Sequence, residues 1–106
     1  MIPDYEYITQ AYARDEAITK LLQCDCLGVD TEGDSLFSYK ERVSLIQISG
    51  NGDHYIFDPL LLDTVQPLSV LFENRSILKI FHGSDYDLVS LKRDFQFQIA
   101  PIFDTA

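Results

Sequence analysis

Cys26-Leu27-Gly28-Val29-Asp30-Thr31-Glu32 starts apolar and ends acidic, and it reads as a β-strand. Side chains two apart on a strand share a face, so Asp30 and Glu32 project together at its carboxyl end. Downstream, Val43-Ser44-Leu45-Ile46-Gln47-Ile48-Ser49 is apolar on both faces and reads as a central strand. Asn51-Gly52-Asp53 is a hairpin turn leading into Tyr55-Ile56-Phe57. The three strands follow so closely that they predict an antiparallel meander.

The rest of the chain alternates helix and strand. Thr64 predicts the cap of a helix with Pro67 in its first turn and Leu68, Leu71 and Phe72 facing inward. Ile77–Phe81 is the next strand. Ser84 predicts the cap of another helix, with Leu88 and Leu91 inward and Lys92 and Arg93 in its last turn. Gln98–Phe103 follows as an edge strand, since Pro101 cannot donate to a ladder. Towards the amino terminus, Tyr5–Thr9 alternates as a short strand. A helix after it carries Ala17, Ile18, Leu21 and Leu22 inward, with Thr9 as its cap and Asp15 and Glu16 in an early turn. Helical links between parallel strands cross over right-handed. The expected fold is α/β: a mixed sheet, meander plus parallel strands, with helices on its faces.

The 106 residues suit one small domain, and 46% apolar residues, including seven Phe and six Tyr, permit a modest core. No apolar run approaches the ~20 residues of a membrane helix, and the acidic start is unlike a secretory signal, so the chain reads as cytoplasmic with no membrane partner. Cys24 and Cys26, in a C-x-C, read as reduced thiols on or beside a buried strand rather than a disulfide or zinc site. A formal charge of −9 argues against passive binding of nucleic acid through a basic face. It is compatible with an enzyme whose positive charge comes from bound cations.

Paired carboxylates repel each other, and a divalent cation relieves the repulsion. A solvated strand end explains Asp30 and Glu32 equally well. His82-Gly83-Ser84-Asp85-Tyr86-Asp87 leaves one strand and enters a helix, at the kind of crevice where open α/β sheets hold ligands. If that strand lies parallel beside Cys26–Glu32, either Asp85 or Asp87 can face Asp30. The other reading makes Asp85 a partner of the helix dipole.

Leu27–Glu32, Arg42–Ile48 and Lys79–Leu88, with Leu91–Phe95 and Phe103-Asp104-Thr105, resemble the ribonuclease D branch of the DEDD exonucleases, the type with a tyrosine in its third motif. The resemblance runs from about residue 5 to the last residue. It implies a ribonuclease H-like fold, truncated at the carboxyl end, with residues 1–106 as a single partial 3′-5′ exonuclease domain: motifs one and two present, motif three absent. It also implies hydrolysis of phosphodiester bonds at single-stranded RNA (or DNA) 3′ ends through two divalent ions, Mg²⁺ or Mn²⁺. Asp30, Glu32 and Asp87 match the metal-binding and catalytic positions, and Asp85 is the weaker match. Leu36, Phe37, Lys40, Arg42 and His82 are the candidates for contact with the terminal nucleotide. Tyr39 shares their loop, and each of these residues also has an ordinary structural reading. His54 carries no signal, and Gln47 needs a hydrogen-bond partner if buried.

The implied consequences are a weak or inactive isolated chain and self-association through uncovered apolar surface. The competing functions are a non-catalytic module that binds nucleic acid or protein on the same scaffold, and a magnesium-binding receiver domain. The early meander and the lack of a Lys after the final strand disfavour the receiver.

Overall fold

The computed structural model describes residues 4–33 and 42–106. Its elements in order are β1 (Glu6–Ile8), α1 (Ala11–Leu21), β2 (Cys26–Gly33), β3 (Val43–Gly50) and β4 (Asp53–Phe57). A 3₁₀ turn (Gln66–Leu68) then runs into the short α2 (Ser69–Phe72), followed by β5 (Leu78–Phe81), α3 (Ser84–Phe95) and β6 (Ile102–Asp104). The strands make one sheet in the order β1-β4-β3-β2-β5-β6.

The predicted meander is β2-β3-β4, with Val29 opposite Ile48 and Ile46 opposite Phe57. Its hairpin turns on Asn51 and Gly52, at φ 52° and 85°, a left-handed pair that suits the twist of the flanking strands. β1 pairs parallel with β4, β5 with β2, and β6 with β5, so β3 alone runs against the other described strands.

That order decides where the helices go. The crossovers β1–α1–β2, β4–α2–β5 and β5–α3–β6 all join parallel strands and all advance towards the β6 edge. Right-handed crossovers advancing in one direction put their helices on the same face. Burial agrees: Ile8, Leu27, Val29, Ile46, Ile48, Phe57 and Phe81 share one face by register and lie buried with Ile18, Leu21, Leu71, Phe72 and Leu91 of the helices. The opposite face carries Cys26, Gly28, Asp30 and Glu32, all exposed, beside the half-buried Gln47, Ser49, Ile56 and Ile80. Helices were expected on the faces of the sheet; the described ones cover only one.

Smaller corrections follow from where the helices begin. Gln10, not Thr9, precedes α1 and makes no side-chain cap, while Asp15 and Glu16 fall just after the first turn, as early as expected. Leu22 is exposed. Gly83 stands at the cap of α3, with Ser84 as its first helical residue. Thr64 does serve the next turn, its hydroxyl accepting from the Gln66 N–H at 3.1 Å.

Among the described residues four charged side chains are buried, Arg14, Asp58, Lys79 and Asp87, of which two are cations. Arg14 bridges α1 to a later loop, its Nη1 2.8 Å from Asp63 Oδ1 and 2.9 Å from the Thr64 carbonyl. Lys79 sits on the helix-covered face, fully buried, where Nζ donates to the carbonyls of Asn74, Ile77 and Ala100 at 2.6, 2.6 and 2.8 Å. Burial, with Arg75 adding to it, pushes this ammonium down from 10.5 to about 8.

Candidate functional site

β2 lies between β3 and β5, and its carboxyl end carries Asp30 and Glu32 on the open face. Asp30 Oδ1 accepts from the Thr31 N–H at 2.9 Å. Beneath it, Gly28 contributes no side chain. A concavity of about 350 Å³ opens there, lined by Asp30, Gln47, Ser49, Ile80, His82 and Thr105 among others.

The expected parallel pairing of the Ile77–Phe81 and Cys26–Glu32 strands is present, Leu27 opposite Lys79. It brings α3 to the end of β2, but from the covered face. Asp87, 5% exposed, accepts a hydrogen bond from the hydroxyl of Thr31, the residue between Asp30 and Glu32. The three carboxylates therefore sit around one strand end, two on one face and the third reached through Thr31. Among the described residues, no three His, Cys, Asp or Glu side chains form a group that could hold a metal ion. Asp85 is exposed in the first turn of α3.

The sequence reading missed how the β5–α3 corner is held. Gly83 (φ 71°) has no side chain to cap the helix with. Asp104, at the end of β6, does it instead: Oδ2 accepts from the Ser84 hydroxyl at 2.6 Å and the Ser84 N–H at 2.8 Å, while Oδ1 accepts from the Gly83 and Ala106 N–H groups at 2.9 Å each. These bonds, the Ser84 hydroxyl foremost, hold its carboxyl well below the ordinary value. His82 Nδ1 lies 3.0 Å from Thr105 Oγ1. Phe103-Asp104-Thr105 carried the resemblance, yet nothing in the local pattern marked Asp104 as the cap.

Leu36, Phe37, Tyr39 and Lys40 lie outside the described residues. Arg42 is exposed at the entrance to β3, and His82 is exposed on the concavity. Arg93 pairs with Asp94 at 2.6 Å, and Asp94 in turn accepts from the Val43 N–H at 2.7 Å, which ties the end of α3 to β3. Cys24 is buried and Cys26 exposed, both as free thiols.

The model of the 3′-5′ exonuclease family matches residues 5–106. The chain belongs to this family. Among curated relatives, the exosome complex component 10 homolog of Caenorhabditis elegans is 41% identical over 92 residues, covering 85% of this chain and 10% of that protein. Protein RRP6-like 3 of Arabidopsis thaliana is 34% identical over 107 residues, covering 100% of this chain and 12% of that protein. Among solved structures, ribonuclease D of Escherichia coli superposes with a TM-score of 0.86 at 25% identity, covering 96% of this chain and 27% of that one. The chain thus spans about a tenth of the length of these curated relatives. The ribonuclease D resemblance and the mixed-sheet fold are both borne out, and the receiver-domain alternative falls with them.

Proposed function

We propose that this chain carries the first two carboxylate motifs of a 3′-5′ exonuclease acting on RNA ends, or on DNA ends as the second choice. The observation that carries the reading is the strand end itself. Asp30 and Glu32 point from β2 onto an open face beside a concavity, and Asp87 is one hydrogen bond away through Thr31.

The donor set fits a hard divalent cation, since exposed carboxylate oxygens two apart on a strand need little rearrangement to share one. Two such ions, Mg²⁺ or Mn²⁺, would supply when bound the charge neutralisation and water activation that phosphodiester hydrolysis requires. Asp30 and Glu32 would hold them, and Asp87 would take part on giving up the Thr31 hydroxyl. His82 and Arg42, both exposed, are the described candidates to meet the terminal nucleotide.

Because Asp87 must first give up the Thr31 hydroxyl to join Asp30 and Glu32, the 106 residues by themselves should bind metal weakly and trim slowly. The tie between Asp87 and Thr31 also favours a second reading, a non-catalytic interaction module on the same scaffold.

Trimming of 5′-labelled single-stranded RNA and its DNA counterpart, with Mn²⁺ or EDTA, separates the two. The expected outcome is a slow 3′-end ladder on RNA that disappears with EDTA and with Asp30→Ala. Absence of any ladder at high protein concentration would leave only the non-catalytic module.

A further inference from the structure

We propose that Asp104 is a positioning residue for Asp87, holding the start of α3 so that the Asp87 carboxylate meets the end of β2. This rests on the exonuclease reading above. The first N–H groups of a helix have no partner within it, and they draw carboxylates through both hydrogen bonding and the dipole. In α3 the acids nearest in sequence are Asp85 and Asp87, both in the first turn. Neither is the cap. Asp104 reaches across from β6, twenty residues away in sequence, and takes the Ser84 N–H and hydroxyl on one oxygen and the Gly83 N–H on the other.

Two consequences follow. With those donors satisfied, Asp87 is released from local capping and turns to the Thr31 hydroxyl. The corner is also fixed against the sheet, since β6 pairs with β5 (Phe81 opposite Asp104) and the Thr105 N–H donates to the Phe81 carbonyl at 2.9 Å. Asp104 thus links an edge strand to the placement of a carboxylate on the far side of β5. Remove it, and the free Gly83 and Ser84 N–H groups compete for Asp85 and Asp87.

Manganese provides a readout that a merely structural role would not move. Electron paramagnetic resonance of free Mn²⁺ is followed during titration of the whole chain as wild type, Asp104→Ala, Asp104→Asn and Gly50→Ala. Gly50→Ala is a destabilised control remote from the corner. Asp104→Ala is expected to weaken Mn²⁺ binding about tenfold, in the range found for residues that orient metal ligands. Asp104→Asn, which keeps one acceptor oxygen, should recover part of the loss, and Gly50→Ala should bind as wild type does. Wild-type affinity in both Asp104 variants overturns the proposal while leaving the exonuclease reading in place, as does an equal loss in Gly50→Ala. A wild type that binds no Mn²⁺ overturns both. If Asp104→Ala does not fold, Asp104→Asn decides alone: unchanged affinity refutes the proposal, and weakened affinity supports it.

Discussion

At the scale of single residues, the informative side chains are polar groups in apolar surroundings. Thr31 lies between two exposed acids yet is itself buried, because the pleat alternates, and its hydroxyl is spent on Asp87. Thr31→Val keeps the shape and removes the donor. It should cost roughly 1–2 kcal/mol in urea unfolding, since Asp87 is buried and loses a partner; unchanged stability would show that the hydroxyl does not serve Asp87. Lys79 is the other case. Its three carbonyl partners would all lose a donor in Lys79→Met, which should destabilise the fold by roughly 2 kcal/mol despite relieving a buried charge. The pH dependence has a definite sign. The folded lysine releases its proton near pH 8 and the unfolded one near 10.5, so between these values the unfolded state binds more protons and stability rises with pH. Urea midpoints of wild type and Lys79→Met, compared below and above pH 8, should diverge in favour of wild type as pH rises. A constant difference would mean that the buried ammonium is not destabilised.

At the scale of elements, close approach and capping decide how pieces meet. Gly50 ends β3 where the loop before β2 crosses it: a methyl group there would stand 2.6 Å from Cys24 Sγ and 2.8 Å from Leu27 Cδ2. Gly50→Ala should therefore cost roughly 1–3 kcal/mol through overpacking, read from thermal or urea unfolding. A neutral result would mean that Cys24 can swing away freely. The hairpin turn, the inward helix residues Leu68, Leu71, Phe72 and Leu91, and the basic last turn of α3 were all legible in the sequence, because each depends on residues within one or two turns of each other. The helix caps were less legible. Ser84 reads as a cap, but Asp104 outcompetes it from β6 with a carboxylate that accepts four hydrogen bonds.

At the scale of the whole molecule, the main feature is the face that the described helices leave open. By register Tyr7, Ile56, Ile80 and Phe103 share it with Asp30 and Glu32, and Tyr7 and Phe103 are 54% and 55% exposed. Apolar surface of this kind favours association, while a net charge of −9 opposes it. Salt screens the repulsion and leaves the apolar term intact. Sedimentation should show self-association that strengthens with ionic strength and weakens in Phe103→Thr. A species that stays monomeric at every salt and protein concentration would count against it.

By itself the sequence determined the strands of the meander and the shared face of Asp30 and Glu32, whereas the edge strand expected at Gln98–Phe103 forms at Ile102–Asp104, after Pro101. A strand's two-residue period and a left-handed Asn-Gly turn are backbone stereochemistry, written in consecutive residues. Tertiary structure alone decided that the described helices gather on one face, since that follows from strand order, and order is set by pairings between distant segments. It also decided that Lys79 is buried under carbonyls up to 21 residues away, that Asp104 caps a helix begun 20 residues earlier, and that Asp87 finds Thr31 across 56 residues. In each case a buried polar group had to be satisfied, and the group that satisfies it is near only once the chain has folded.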